Sequence, residues 1–478
     1  MNMKKTILYT ALFIAAGALF TSCKKSVELD PTHTIGGDEL TSIDDHDRIM
    51  TGAYAAMRNN ALYAGVNGGS VWLSGPDIAA DNFYGGSQNL GNLNTLFRWN
   101  YTADNTVTEA AWQGAYQVIR QTNLVTRGID KYRATEPTKV NRIEGQARAL
   151  RAFMHFELLR WWANDYDRNA TSLGIPYVEV FDIEQMPARG TVKQTYDKIE
   201  ADLKSAKTML SNTDRSIQST SAVTATNRAY IDSLVVNAML ARVYIYANQL
   251  DSAIKYSTLA INARPLATAA QFPQIWEDAT SAELIWSFKM FAGNAALGRE
   301  IYDVSADRAS WLPVTALTSL YSGSDVRGPA YFRVRTGRTV LGKYWAKSTA
   351  AGNPDGVVDI KLFRTAEMYL IRAEAYARKG GLDVPALADL NALRAIRGAA
   401  VGAETGTALQ TAIQTERRKE LVAEGHRFFD IKRTARVINR TQNCATFCTL
   451  ASTNRAWAFP IPQSEILAND NIDQNPGY

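Results

Sequence analysis

Apolar residues recur at the spacing of amphipathic helices along most of the chain. Ile199, Leu203, Ala206 and Leu210 follow one another at intervals of four, three and four, so they share one face of a helix that opens near Thr191. The same period predicts helices over 43–58, 107–129, 139–162, 228–247, 251–262, 364–379, 384–397 and 407–424. The pattern therefore predicts a mainly α-helical protein.

Two long stretches lack this period. Gly, Asn and Ser collect in 59–95, and irregular sequence returns in 264–360. Loops of this length within a compact domain are usually functional or disordered. Inside the second stretch, "YFRVRTGRTV" predicts a β-hairpin that turns at Thr336-Gly337.

Two predicted helix pairs carry a repeat pattern. Residues 237–265 match the offsets of a tetratricopeptide unit, although Asn237 stands where that unit has Trp. The matching positions are Leu240, Ala241, Tyr244, Ala253, Ala260 and Pro265. The segment "LIRAEAYARKGGLDVPALADLNALRAIRG" repeats the scheme with three extra residues in its turn. We expect a helical-repeat scaffold, with a generic helical hairpin as the alternative.

The N-terminus has the pattern of an export signal. Lys4 and Lys5 precede an apolar run over 7–20, which is too short to span a bilayer comfortably, and the small residues Thr21 and Ser22 follow it. The pattern resembles a bacterial lipoprotein signal, in which cleavage makes Cys23 the first, lipid-bearing residue. An ordinary secretory signal with a chance cysteine is the alternative.

Composition excludes several classes of protein. Removing Lys4 and Lys5 lowers the formal net charge of the 478-residue chain from +5 to +3, and the charges are dispersed, so we expect no nucleic-acid partner. Cys444 and Cys448 of an exported chain favour a disulfide over free thiols, and they lack nearby histidines for a zinc site.

We find no catalytic motif. The histidines are scattered without metal spacing, and no G-x-S-x-G sequence occurs. "GRTVLGK" approaches a phosphate loop, but Tyr344 stands where that loop needs Ser or Thr. We therefore expect a protein that is not an enzyme and that has no metal site and no cofactor.

Several motifs together resemble one family. They are "RTAEMYLIRAEAYAR", "ALADLNALRAIRG", "ERRKELVAEGHRFFDIKR", the closing "AFPIPQSEILANDNIDQNPGY", "LDP" at 29–31, "GQARALRAFMHFELLRWW" and "PARGTVKQTYDKIEADLKSA". Together they are similar to the SusD/RagB family of nutrient-binding outer-membrane lipoproteins of the Bacteroidetes type, and the four C-terminal motifs, which follow one another in the order given, are the strongest part of the resemblance.

The resemblance implies a fold and a partner. The fold would have four tetratricopeptide-like helix pairs, an irregular loop-rich ligand-binding lobe and a few short β-hairpins. The partner would be a SusC-like TonB-dependent outer-membrane transporter, with the lipoprotein anchored through Cys23 and facing the cell exterior. The basic residues Lys24 and Lys25 depart from surface-exported relatives, which often have acidic residues there.

The expected domain organisation follows from these patterns. Residues 1–22 form the signal peptide and 23–478 form one SusD-like domain. Within it, the helical scaffold lies mainly in 40–58, 107–262 and 362–478, and the loop-rich lobe lies mainly in 59–106 and 264–361.

Candidate ligand-binding residues come from the two irregular stretches. A sugar ring offers an apolar face and a rim of hydroxyls, which suits an aromatic platform flanked by amides, acids and guanidinium groups. The candidates are Trp72, Asp81, Asn82, Tyr84, Trp99, Trp311 and Arg327, and the second stretch also supplies Tyr302, Asp325 and Trp345. Any of these aromatic residues could instead fill the core. We expect Trp72 and Trp311 to form the platform, since each lies in a predicted loop.

Three functions remain open at this point. The first is capture of an oligosaccharide for delivery to the transporter, which the supply of loop aromatics favours. The second is peptide capture by the same transport system. The third is a helical-repeat scaffold for assembly.

Overall fold

The computed structural model describes residues 40–58, 62–63, 70–210, 228–348, 352 and 354–478. Cys23, the leader and the "LDP" motif lie outside the described residues. The chain divides into two units, Met1–Asp45 and His46–Tyr478. In the described part of the first unit, the Ser42 hydroxyl donates a hydrogen bond of 2.8 Å to the Asp45 carboxylate.

Helices dominate the described residues. They are α1 Ile43–Ala56, α2 Ser70–Leu73, α3 Gly75–Ala79, α4 Asn94–Arg98, α5 Thr106–Thr126, α6 Pro137–Trp162, α7 Val192–Met209, α8 Ser233–Tyr246, α9 Leu250–Ala263, α10 Gln271–Trp276, α11 Thr315–Thr318, α12 Arg327–Tyr331, α13 Thr365–Lys379, α14 Asp383–Ile396, α15 Gly406–Glu420, α16 Arg427–Thr434 and α17 Gln463–Ala468. The nine helices that the periodicity predicts all occur. No helix in this part of the chain has the length and apolar character needed to cross a membrane.

Capping residues decide where the long helices begin. Asn105 accepts hydrogen bonds from the backbone N–H groups of Val107 and Thr108 at the start of α5. Thr191 forms a capping box with Gln194 at the start of α7. The predicted helix over 228–247 begins later, at Ser233, because the side chain of Asp232 caps it.

The long helices pack as sequential neighbours. Contacts join α5 to α6, α6 to α7, α8 to α9 and α13 to α14, and α9 also packs on α13. Fully buried small residues, Ala241, Ala253, Ala260 and Ala373, allow close approach at these contacts. This arrangement confirms the predicted mainly α fold with a tetratricopeptide-like scaffold.

Short antiparallel strand pairs make up the β-structure described. The strands are β1 Phe83–Gly85, β2 Leu284–Phe288, β3 Tyr302–Asp303, β4 Arg308–Ala309, β5 Trp311–Pro313, β6 Phe332–Arg335, β7 Arg338–Leu341, β8 Ile360–Arg364, β9 Ile438–Asn439 and β10 Thr449–Leu450. They pair as β1–β5, β2–β8, β3–β4, β6–β7 and β9–β10. The β6–β7 hairpin turns at Thr336 and Gly337, both at positive φ, as the sequence predicts.

A buried ion network joins α12, the end of β8 and the residue before β2 to the scaffold. The carboxylate of Glu420 on α15 accepts hydrogen bonds from Arg327 (3.1 Å), Arg364 (2.7 Å) and Arg397 (3.1 Å). Glu283 also accepts from Arg364 and Arg397. All five side chains are fully enclosed, so these charges are paired with one another inside the protein.

The C-terminal segment lies along the scaffold. Asn475 donates hydrogen bonds to the carbonyls of Trp162 (2.7 Å) and Phe459 (2.6 Å), and Arg189 donates to the side chain of Asn475 (2.8 Å). A disulfide joins Cys444 to Cys448. The disulfide agrees with the expectation from the sequence.

Candidate ligand-binding surface

The two tryptophans expected to form a platform are buried. Trp72 is 1% exposed and lies against Tyr63 and Trp162. Trp311 is 0% exposed, and its ring lies 5.2 Å from that of Phe97. Neither ring reaches solvent, so the expectation that they form an open platform is corrected. Trp72 lies in the short helix α2 and Trp311 lies in the strand β5, so neither is in a loop.

The side chains of Arg327 and Asn82 are buried and bind other residues of the protein. Arg327 is fully buried in the ion network and pairs with Asp325 at 2.7 Å. Asn82 is buried, donates to Asp77 (2.7 Å) and accepts from Arg418 (2.7 Å). These contacts use the polar atoms that a ligand would need.

Asp81 and Trp99 keep partial exposure. Asp81 accepts a bidentate pair of hydrogen bonds from Arg427, at 2.7 and 2.9 Å. Burial alone would raise the pKa of this carboxyl, but the guanidinium groups of Arg427 and Arg418 lower it to about 2. The Trp99 indole donates to the carbonyl of Ala79, and the Arg440 guanidinium lies 3.9 Å from its ring. Asp81 is therefore a permanent anion with two cationic partners.

Tyr84 lies near a second group of aromatic residues, which includes Tyr302 and Trp345. It is half-buried on β1, directly opposite Leu312 of β5, and opposite residues of an antiparallel pair share a face. Leu312 packs against a cluster of Tyr302, Ala309 and Val340, and Trp345 packs against the same cluster. Tyr84 and Trp345 thus belong to one face of the molecule.

We call this face the hairpin surface. It consists of Tyr84, Gln88, Asp307, Arg333, Arg335, Arg338 and Trp345, together with the buried Tyr302, which contacts Trp345.

The aromatic part of the hairpin surface is half-buried Trp345. Its ring is nearly parallel to that of Tyr302, with an interplanar angle of 11° and centroids 6.0 Å apart. The guanidinium groups of Arg333 and Arg335 lie 4.8 and 5.6 Å from the Trp345 centroid. These arginines are two apart on β6, so they share a face, while Val334 between them is 75% exposed on the other side.

The polar part of the surface surrounds these rings. Asp307 accepts hydrogen bonds from the Tyr302 hydroxyl and from Thr336 (2.9 Å), and these bonds lower the pKa of its carboxyl. Arg335 lies 3.7 Å from the same carboxylate. A ring flanked by a carboxylate and guanidinium groups suits a ligand with an apolar face and several hydroxyls.

Gln88, shortly after β1, is a second polar part of the hairpin surface. The side-chain oxygen of Gln88 accepts from the backbone N–H of Ala309 (2.9 Å) and from Arg338 (2.5 Å). Gly86 makes this approach feasible, because a Cβ there would lie 2.6 Å from the carbonyl oxygen of Ala309.

Sequence reasoning counted Tyr302 and Trp345 among the aromatic supply but did not select them or the arginines of β6. The available signal was the alternation in "YFRVRTGR", which places Arg333 and Arg335 on one face of a predicted strand. The part of the chain that the structure describes contains no cluster of His, Cys, Asp and Glu suited to a metal ion.

Two protein-family models match parts of this chain. A family model described as "SusD family" matches residues 315–478. A second model, described as "Starch-binding associating with outer membrane", matches residues 46–245.

Individual relatives give the same picture. A SusD-like protein of Formosa agariphila is 21% identical over 554 aligned positions and is covered 100%, as is this chain. The starch-binding protein SusD of Bacteroides thetaiotaomicron is 34% identical over 126 residues, which are 25% of this chain and 22% of that protein. A crystal structure of a SusD superfamily protein from Bacteroides thetaiotaomicron has a TM-score of 0.79 at 24% identity, covering 91% of this chain and 100% of that one. This last likeness concerns the fold.

Proposed function

The chain belongs to the SusD/RagB family, and we propose that it is a surface lipoprotein that binds oligosaccharide at the hairpin surface. It delivers this ligand to a SusC-like TonB-dependent transporter in the outer membrane. The observation that carries the proposal is the half-buried ring of Trp345 between Tyr302 and the arginines of β6. It is supported by the description of the second family model and by the starch-binding relative.

The chemistry of the hairpin surface favours a sugar. Stacking on an indole ring requires a ligand with an apolar face, and such ring contacts contribute about 0.5–1.5 kcal/mol beyond the area that they bury. The carboxylate of Asp307 accepts hydrogen bonds from hydroxyl groups, and Arg335 and Arg338 donate hydrogen bonds to hydroxyl oxygens. A hexose presents both kinds of group on one ring.

The anchor and the partner extend the proposal. Lipid on Cys23 holds the protein in the plane of the outer membrane and raises its effective concentration beside the transporter. Mass spectrometry of protein from membranes tests the anchor, and an unmodified thiol at Cys23 contradicts it. Affinity purification from detergent-solubilised outer membranes tests the partner, and recovery of the protein without any barrel contradicts that part.

Binding is tested by calorimetry on the mature chain carrying Cys23→Ser. The probes are maltotetraose, cellotetraose, mannotetraose and tetragalacturonic acid, together with a control peptide library. We expect at least one sugar to bind and Trp345→Ala to weaken it about tenfold, equivalent to about 1.4 kcal/mol. Trp345→Phe keeps a ring and retains most of the affinity.

Two outcomes overturn the proposal. If no sugar binds while peptides do, the protein captures peptides. If Trp345→Ala binds as tightly as the Leu467→Ala control, which removes an exposed apolar side chain on α17, the ligand lies elsewhere.

A further inference from the structure

A groove separates α15 from α16 and the residues that follow α16. Its volume is about 470 Å³, and its floor is apolar, made by the buried residues Ala377, Ile413, Ile431 and Ile438. It is not part of the hairpin surface, with which it shares no residue. It contains Asp81, one of the candidate residues from the sequence.

One wall of the groove is a polar, uncharged stripe on α15. The stripe consists of Thr407, Gln410, Thr411 and Gln414. Their spacing places them on one helical face, and at 1.5 Å per residue they extend over about 10 Å. They therefore present amides and hydroxyls in a row along the groove.

The amides of this stripe have free hydrogen-bonding capacity. Half-buried Gln414 makes no side-chain hydrogen bond to any residue within the described ranges. Gln410 donates to the carbonyl of Ala377 through a long bond of 3.3 Å, which leaves its oxygen available. Glutamine amides offer both donors and acceptors, as a sugar hydroxyl requires.

The paired charges of Asp81 and Arg427 lie in the same groove. Arg427 uses Nε and Nη2 to bind Asp81, at 2.7 and 2.9 Å. Arg418 also lies 3.5 Å from the Asp81 carboxylate, so carboxylate oxygens and guanidinium N–H groups stand side by side here. Such a pair suits adjacent hydroxyl groups better than an isolated cation or anion.

The opposite wall adds polar groups of the same kind. Thr434 and Asn439 line it, and both are exposed. Glu374, Arg378 and Arg433 also line the groove, and both arginines donate hydrogen bonds to the Glu374 carboxylate. An apolar floor, a row of amides and hydroxyls, and paired charges suit a ligand that combines apolar and hydroxyl groups. We infer that this groove is a second saccharide-binding site, which takes neutral sugar units through Gln410, Gln414 and the Asp81–Arg427 pair. The inference rests on the proposed function and extends it to a second position on the chain.

Stoichiometry measured with a short probe tests this site. The tetrasaccharide that binds most tightly in the panel above is titrated into the Cys23→Ser chain, and we expect two molecules bound per chain. Gln414→Trp fills the groove and should reduce the stoichiometry to one. At sugar concentrations well below the dissociation constant of the weakened site, Trp345→Ala should also leave about one molecule bound, and the double variant none.

Control variants keep the test decisive. Gln274→Ala removes an exposed glutamine of α10, outside the groove, and should bind two molecules. Gln410→Ala, a milder change, should weaken the groove site about threefold without changing the other site. Circular dichroism confirms that each variant is folded.

The possible results separate the two proposals. If Gln414→Trp binds as Gln274→Ala does, the groove is not a sugar site, and the hairpin surface is unaffected. If wild-type protein binds one molecule and Trp345→Ala binds none, the second site is likewise rejected. If no sugar binds to the wild-type chain, the proposed function fails together with this inference.

Discussion

Replacing Glu420 by Gln tests whether the buried ion network holds the strand pairs to the scaffold. Glu420 is 0% exposed, and Arg327, Arg364 and Arg397 donate to its carboxylate. Gln keeps the shape of the side chain but removes its charge. It also turns one acceptor into a donor that faces guanidinium groups.

The structure sets the size of the effect. Removing one partner from a buried ion pair costs about 3–5 kcal/mol, because the remaining charge stays in a medium of low polarity. Glu283 also pairs with Arg364 and Arg397, and it compensates for part of the loss. We therefore expect Glu420→Gln to lower the free energy of unfolding by about 4 kcal/mol, a large share of the usual 5–15 kcal/mol.

The pH dependence has a definite sign. Burial alone would raise the pKa of Glu420, but the three arginines hold it well below its ordinary value. Its contribution is therefore present above the unfolded pKa of about 4.5 and is lost as the pH falls through the lower folded value. The difference between wild type and Glu420→Gln should shrink toward acidic pH.

Urea unfolding followed by tryptophan fluorescence at pH 7 provides the assay, since urea does not screen charge. The matched control is Glu404→Gln, which changes a more exposed carboxylate that pairs with Arg394 and should cost no more than about 1 kcal/mol. If Glu420→Gln is no less stable than Glu404→Gln, the network does not hold the fold as we argue.

Three further predictions concern buried or constrained positions. Burial raises the pKa of Asp77 to about 7, so the stability that its protonated carboxyl contributes is complete at low pH and is lost as the pH rises through 7. Relative to Asp77→Asn, wild type should lose about 1.4 kcal/mol of unfolding free energy between pH 6 and 9. Equal pH dependence of the two proteins would contradict this. Gly425 has φ +84°, and a Cβ there would lie 2.4 Å from the carbonyl oxygen of Trp72. Gly425→Ala should therefore lower the free energy of unfolding by about 2–4 kcal/mol, measured by thermal unfolding. An unchanged melting temperature would refute the close approach. The Cys444–Cys448 disulfide closes a very short loop. Replacing both cysteines by Ser should therefore lower the free energy of unfolding in urea by no more than about 2 kcal/mol. A larger loss would mean that the bridge orders more than its own loop.

The helices could be predicted from the sequence because their information is local. The period of apolar residues and the caps at Asn105 and Thr191 lie within the segments that they define. The start of α8 was placed too early because apolar periodicity alone does not show which residue caps a helix. There Asp232 does so, and the chain before it is extended.

The candidate site was harder to predict because burial depends on residues far apart in the chain. Trp72 lies in Gly-rich sequence, yet Trp162, 90 positions later, covers it. Arg327 lies in an irregular stretch, yet its partner Glu420 is on α15. Trp345 is half-buried between Tyr302 and the arginines of β6, and the paired strands bring these residues together.

A crystal structure of the chain soaked with its best-binding tetrasaccharide tests the central claim most directly. We predict a sugar ring in contact with the exposed part of the Trp345 indole, at about 4 Å, with hydroxyl contacts to Asp307 and Arg335. Electron density for the sugar elsewhere, with the ring of Trp345 free, would contradict the account.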